Sequence, residues 1–233
     1  EEGGMKGTWL LPTRGRPQTL ARFLAAAVAT GHSTPGMILH GDQADIEGVE
    51  LPPNWTAHRT EAAGMGDKFR EVWDEISTLD WVGWVVDDLV PETPRWDTTL
   101  ISGLNGANII SCNDGARAPF RMGAPVFSGD LLRAVGYIYP QDYFWHAYAD
   151  DMWERLGRAT DTWWVCMDVV LRHHDAFQGL AIADATHTAS YGRMAQDKAD
   201  LLRWRRNEMD AAVRRVMTLK ADKRIPERKV ANA

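Results

Sequence analysis

Cysteine is scarce in this chain: Cys112 and Cys166 are the only two in 233 residues, and they lie far apart. That usage argues against a disulfide scaffold, gives no metal-type spacing and fits a reducing compartment, so a cytoplasmic location is expected. Long hydrophobic runs are also lacking, and none approaches the roughly 18 apolar residues of a membrane span. The start, Glu1-Glu2-Gly3-Gly4, has neither the basic residues nor the apolar stretch of a secretory leader; it is expected to be an appended tag ahead of a native start at Met5. Internal repeats and low-complexity linkers are absent, so one large domain is expected.

Tryptophan, by contrast, is abundant, with eleven residues. Most are expected in the core because each indole carries a large apolar area, with a few left to stack on planar or ring-shaped ligands. The net charge of −6 is unevenly spread: ten Lys/Arg against four acids between Arg203 and Lys229 make that segment +6 and leave −12 on the remainder. A basic tail on an acidic body suits a polyanion partner, met by Arg203, Arg205 and Arg206, or equally a solvated helix docked on the acidic body.

Hydrophobic patterning divides the chain into alternating strands and helices. Thr8–Pro12 reads as a first strand, Gln18–Ala29 as a helix with Leu20, Phe23, Leu24 and Val28 at helical spacing, and Met37–His40 as a second strand. Trp55–His58 is a short strand, and Asp67 is the expected N-cap of a helix reaching Leu79. Trp81–Val86 is a buried strand, Trp96–Leu104 a helix and Ala107–Cys112 another strand. The alternation predicts an α/β fold whose mostly parallel sheet is covered on both faces. Further on, Gly123–Gly129 is expected to open a helix at Asp130, Asp150–Leu156 to form a short helix, Trp163–Leu171 a strand, and Ala195 to about Lys220 a helical tail ending near Pro226.

The most informative stretch is Trp81–Pro91. A β-branched and aromatic run ends in Asp87-Asp88, and Pro91 and Pro94 are expected to forbid regular structure beyond it. Carboxylates at the carboxyl end of a buried strand stand where open α/β sheets bind ligands, and a pair of them suits a hard divalent cation and, through it, a phosphate. A solvated turn is the plain alternative. Pro12-Thr13-Arg14-Gly15-Arg16-Pro17 sets a flexible glycine between two guanidiniums just before a helix, a setting for a nucleotide diphosphate. Asp42, after the second strand, is placed to accept from a base or a ribose hydroxyl, and Lys68, behind Gly64 and Gly66, to meet a phosphate. His173 or His174, after a late strand, can join Asp88 on Mn2+ or Mg2+. Asp150 and Asp151 stand at a helix start, where one can act as general base toward a hydroxyl and the other as an N-cap.

The order of these elements resembles the GT-A glycosyltransferases, in particular the small family-2-like enzymes of phages and bacteria. Asp87-Asp88-Leu89-Val90-Pro91-Glu92-Thr93-Pro94-Arg95-Trp96-Asp97 looks like that group's Asp-X-Asp-type region with its following Thr-Pro-X-Trp-Asp. Gly129-Asp130 looks like its acceptor-side helix start. His146-X-Tyr148-X-Asp150-X-X-Trp153 with Leu156-Gly157 looks like the segment bearing the catalytic carboxylate. The resemblance runs from about Thr8 to Asp175 and implies a GT-A-type, Rossmann-like sheet with flanking helices over 5–194. A nucleotide-sugar half (5–114) and an acceptor half (115–194) would be followed by a basic helical extension over 195–233. It implies transfer from a nucleotide sugar, UDP-linked by expectation, with inversion. Pro12, Thr13, Arg14 and Asp42 would bind the nucleotide, joined by Arg16 and Lys68 on their chemistry, and Asp87 would approach the ribose or sugar. Asp88 and His173, with His174 as rival, would hold Mn2+ or Mg2+; Asp150, with Asp151 as rival, would be the base. Two departures stand out: Arg172 precedes the histidine where an acid is common, and the pair is Val-Asp-Asp. The favoured acceptor is a hydroxymethylated pyrimidine in DNA, met by the basic surface around Trp204 with a stacking tryptophan to help flip the base. Glycan, lipid and protein acceptors are the alternatives. A nucleotidyltransferase would carry a longer Gly-rich signature than Gly15 provides, and a non-catalytic binding module would not need Asp88, Asp150 and His173 together.

Overall fold

The computed structural model describes residues 4–62, 64–104, 108–115, 122–144, 146–174 and 184–224. Ala107, Asp175 and Pro226, named above at element ends, lie outside the described residues. The strands are β1 (Gly7–Pro12), β2 (Gly36–His40), β3 (Trp55–Arg59), β4 (Trp81–Trp84), β5 (Leu89–Pro91), β6 (Ile109–Asn113), β7 (Gly123–Ser128) and β8 (Trp163–His173). The helices are α1 (Pro17–Ala29), α2 (Met65–Glu71), α3 (Trp73–Ile76), α4 (Trp96–Ser102), α5 (Gly129–Val135), α6 (Ala149–Thr160), α7 (Ala185–Asn207) and α8 (Met209–Leu219).

The strands form one sheet in the order β3-β2-β1-β4-β7-β6-β8-β5. β3, β2, β1 and β4 are mutually parallel, as are β6 and β8; β7 runs antiparallel between β4 and β6, and β5 lies antiparallel on β8. The sheet is thus mostly parallel, as the alternating pattern predicts. The chain passes from β1 to β2 and β3 on one side, then returns to lay β4 on the other side of β1. The carboxyl ends of β1 and β4 therefore border the crevice where strand order reverses.

Successive strand residues face opposite ways. Trp9 and Leu11 enter one apolar cluster with Phe23, Ile38, Trp55 and Trp96, while Leu10 enters the other with Leu39, Phe69, Val82 and Trp153. Burial on both faces is why these strands read as unbroken apolar runs. Tryptophans fill the first cluster by lying over glycines of neighbouring strands. Gly83 is level with Trp9, Gly36 with Trp55, and Gly7 with Trp81. A Cβ on Gly83 would sit 2.1 Å from the Trp9 ring, and one on Gly36 2.3 Å from that of Trp55.

Several local expectations change. Val28 faces solvent at 59% exposure, and Ala27 takes the inward position. The helix expected from Asp67 begins at Met65 with Gly64 as N-cap and breaks at Val72; Asp67 pairs with Arg70 inside its first turn. Residues 123–128 are a strand rather than the lead into a helix, and α5 begins at Gly129, where Ser128 accepts the Leu131 N–H. Pro91 ends a short strand at the sheet edge, where its missing N–H leaves no ladder bond unmade. The last helical region starts at Ala185 rather than Ala195 and breaks at Glu208. It packs against α5 and α6 and sinks Leu201, Trp204, Ala212, Val216 and Leu219 into the core. Among the described residues no helix is long and apolar enough to cross a membrane.

Candidate functional site

A cavity of about 270 Å3 opens at the β1/β4 crevice. Its floor is the first turn. Gly15 adopts φ +63, a left-handed conformation that costs glycine nothing, and its N–H donates to Asp45 Oδ1 at 2.6 Å. Asp45 is buried and also accepts the N–H groups of Gly41 and Asp42, so one carboxylate ties the first turn to the end of β2. Those N–H groups outweigh the effect of burial and hold its pKa below the ordinary value. Lys68 is buried beneath the same turn, with Nζ donating to the carbonyls of Thr13 (3.1 Å) and Leu39 (3.2 Å). Burial lowers its pKa. It lines the cavity, yet its ammonium fastens backbone instead of presenting itself to a phosphate.

Asp87 and Asp88 leave the end of β4 and face this turn. The Thr13 hydroxyl donates to Asp87 Oδ2 at 2.8 Å, and Arg16 Nη1 reaches Asp87 Oδ1 at 3.2 Å and Asp88 Oδ2 at 3.5 Å. Burial, then the adjacent Asp88 charge, push the Asp87 pKa up to about 7. Burial works to raise Asp88 as well, but the His173 ring and Arg16 outweigh it and hold it below the ordinary value. The reason His173 is here lies in the edge pairing: β5 follows the acid pair at once and sets Leu89 opposite His173. His173 Nε2 stands 3.2 Å from Asp88 Oδ1, a buried oxygen to which no described group donates a hydrogen bond. Two ligands at right angles on one divalent ion, each about 2.1 Å from it, lie about 3 Å apart. The pair therefore fits a single cation. No cluster of three such ligand side chains occurs among the described residues.

Asp150, in the first turn of α6, lines the same cavity, as do His146 and Tyr148. Tyr148 (φ 68) and Ala124 (φ 36) line the cavity in conformations unusual for non-glycine residues, and such backbone strain concentrates at functional sites. The loop ahead of α6 is pinned by Asp197 of α7, which is fully buried and accepts the N–H groups of His146 (3.1 Å) and Ala147 (2.8 Å). The start of α7 closes the cavity: Thr186, His187, Ser190 and Tyr191 line it, and Thr186 Oγ1 donates to the Arg14 carbonyl.

Of the residues expected from sequence, the cavity gathers Pro12, Thr13, Arg14, Arg16, Lys68, Asp87, Asp88, Asp150 and His173. Others lie outside it. Asp42 is exposed and caps a 3-10 turn by accepting the Ala44 N–H. Asp151 is partly buried on α6 but does not line the cavity. His174 follows His173 and does not line the cavity; its backbone N–H donates to the Asp88 carbonyl. Asp130 pairs on the surface with Arg133. Asp97 is a structural anchor, accepting from the Ser33 and Thr34 N–H groups and the Thr34 hydroxyl next to the buried His32. Arg203 stacks on Tyr143 and pairs with Asp200, away from the cavity; Arg205 and Arg206 are exposed on the last turn of α7. Trp204 is fully buried, its Nε1–H donating to Tyr137, and is closed to a flipped base. Among the described tryptophans only Trp84 lines the cavity.

Sequence reasoning missed Asp45, Asp184, His187 and Asp197 and the cavity-lining Asp114, and took in His146 only as part of the motif ahead of Asp150. Three of them carried a visible signal: Asp42-X-X-Asp45 and Asp184-X-X-His187 both have capping-box spacing, and both boxes form.

No family model matches the chain, and no curated protein does. Solved structures match. Glucosyl-3-phosphoglycerate synthase from Mycobacterium tuberculosis in complex with UDP aligns at TM-score 0.56 and 14% identity, over 85% of this chain and 79% of that one. The same protein with Mn2+, UDP and phosphoglyceric acid aligns at TM-score 0.51 and 14% identity, over 78% and 81%. With Mn2+, UDP-glucose and phosphoglyceric acid the values are 0.51 and 14%, over 74% and 72%. This chain has the GT-A glycosyltransferase fold. Within this GT-A fold the acid pair follows the strand beside β1, at the crevice, and Asp150 of α6 lines the same cavity. Such a set of groups can bind a cation and a phosphate and can accept a proton.

Proposed function

We propose that the protein is a glycosyltransferase that moves a sugar from a nucleotide-sugar donor to an acceptor hydroxyl. The observation that carries this reading is the convergence of Asp87, Asp88, His173 and Asp150 on one cavity at the crevice of a GT-A fold. The matched structures contain UDP or UDP-glucose with Mn2+, or UDP with Mg2+, which supports a UDP-linked donor and a divalent cation. Pro12, Thr13 and Arg14 take the nucleotide side, and Asp87 faces the ribose or sugar. Asp88 and His173 would hold the Mn2+ or Mg2+, whose charge offsets that of the departing diphosphate. Asp150 takes the proton of the acceptor hydroxyl while its oxygen bonds to the anomeric carbon. The bond from that carbon to the diphosphate oxygen breaks, and the nucleoside diphosphate leaves with the electron pair. Attack opposite the leaving group inverts the anomeric centre.

Asp88→Asn is expected to abolish transfer and leave the far-UV circular dichroism spectrum unchanged; undiminished turnover in a folded Asp88→Asn protein would sink the assignment. A hydroxymethylated pyrimidine in DNA is the acceptor suggested by the basic tail, with glycans, lipids and proteins as the other hydroxyl sources. Since Arg203 is engaged by Asp200 and Tyr143, a DNA contact rests on Arg205 and Arg206. Salt-dependent duplex binding that disappears in Arg205→Ala/Arg206→Ala supports that acceptor. Absent or salt-insensitive binding counts against it.

A further inference from the structure

Arg16 is expected from sequence to reach a donor phosphate, but every nitrogen of its guanidinium already has a protein partner. Nη1 contacts Asp87 and Asp88. Nε donates to Asp184 Oδ2 at 2.8 Å and Nη2 to Asp184 Oδ1 at 3.0 Å, a bidentate clamp. Nη2 also stands 2.7 Å from His187 Nδ1. Arg16 is itself buried, whereas Asp184 is about half exposed and caps α7. One cation is therefore shared between the acid pair of β4 and the first turn of a helix almost a hundred residues further along the chain.

We propose that Asp184 and His187 are positioning residues that restrain Arg16 as a built-in counter-charge, and that this restraint sets how strongly Asp88 and His173 take a divalent cation. The inference rests on the glycosyltransferase reading of the site. The physical argument is competition. Arg16 and a divalent cation seek the same carboxylate, and each pull by Asp184 on the guanidinium is a pull away from Asp88. With Asp184 neutralised, the carboxylate that draws Arg16 toward α7 is gone, Arg16 bears more fully on Asp87 and Asp88, and cation binding weakens. With Arg16 removed, the carboxylates lose their internal partner, and cation binding strengthens. Charges about 4 Å apart at an effective dielectric of about 20 interact strongly enough to shift an equilibrium by well over tenfold. An unrelated structural defect would instead weaken binding in both variants.

The test is titration of the nucleotide-free protein with Mn2+ alone, read by electron paramagnetic resonance of the free ion. Asp184→Asn is expected to lower Mn2+ affinity at least tenfold, and Arg16→Met to raise it at least tenfold. In the Arg16→Met background Asp184→Asn should change affinity less than about threefold, because its route of action is gone. Additive effects of the two substitutions would show that Asp184 acts only as a distant charge, and would overturn the proposal, as would loss of affinity in both single variants or Mn2+ binding by none of the proteins. Should Arg16→Met fail to fold, Arg16→Gln serves in its place: its neutral amide leaves no counter-charge for Asp184 to restrain, so Asp184→Asn must again lose its effect. The expected Mn2+ pattern without sugar transfer from any nucleotide sugar would overturn the glycosyltransferase reading and leave the cation switch standing.

Discussion

Asp150 and Asp151 differ by one position on a helix, and that position decides which of them lines the cavity. The same holds for His173 and His174: the His173 ring stands against Asp88 and lines the cavity, and His174, just past the end of β8, does not line it. Sequence presents both pairs as equals because phase is set by neighbours, not by the residues themselves: the φ 68 turn at Tyr148 for the helix, and the pairing of Leu89 with His173 for the strand. Asp150→Asn is accordingly expected to lower kcat by about 10²–10⁴ with little change in donor KM, while Asp151→Asn stays close to wild type in steady-state assays. Lys68 shows the opposite failure. Its residue type suggests a phosphate contact, but burial under the first turn turns its ammonium to two carbonyls. Far from the cavity, His32 is buried against Trp96 and stands 3.2 Å from Asp97. Burial depresses the His32 pKa below 6.5, so the folded state resists protonation there and its contribution to stability is present above pH 6.5 and declines as pH falls below it. Asp97, depressed in turn despite its burial by the Ser33 N–H and His32, loses its contribution only below its ordinary value of 3.8. Asp87, raised to about 7, slopes the other way between 3.8 and 7. The clean readout is therefore the difference between wild type and His32→Gln in urea unfolding from pH 7.5 to 5.5: the wild type should lose more stability across that range.

At the scale of elements, β1, β2 and β4 are legible because both their faces are buried and they read as apolar runs. β7 is not, since Gly123, Ala124 and Pro125 look like a loop, and its strand character comes from its neighbours β4 and β6. The start of α7 escapes detection for another reason. Its buried positions include Ser190, Asp197 and Asp200, so a search for apolar periodicity passes over it. The pairing of glycines with tryptophans across β1, β2, β3 and β4 was equally hidden, because register is not written in any one strand. Its consequence is specific. Gly83→Ala would drive a methyl into the Trp9 ring, which already packs between Trp81 and Trp96 at centroid distances of 5.8 and 4.8 Å. A loss of about 3 kcal/mol is expected by urea denaturation, the upper end for core overpacking. A loss under about 0.5 kcal/mol would mean that this packing is looser than described.

For the whole molecule, the alternation of strands and helices conveyed the fold class, and the order of motifs conveyed the GT-A topology. The closure of the cavity by α7 was not legible, because it depends on contacts between residues about 170 positions apart, such as Arg16 with Asp184. The charge asymmetry also acquires a structural meaning: the basic helices pack on α5 and α6 through Trp204, Val216 and Leu219, so part of the tail belongs to the core of the molecule. The central claim is that the β1/β4 cavity cleaves a nucleotide sugar between the sugar and the diphosphate. Its most direct test is to incubate the protein with a panel of nucleotide sugars, with Mn2+ or with a chelator, and to identify the phosphorus-containing product by 31P NMR. The account predicts a nucleoside diphosphate, formed from a UDP-sugar and strongly dependent on the cation. Release of pyrophosphate, or turnover of no nucleotide sugar in the presence of Mn2+, would contradict it.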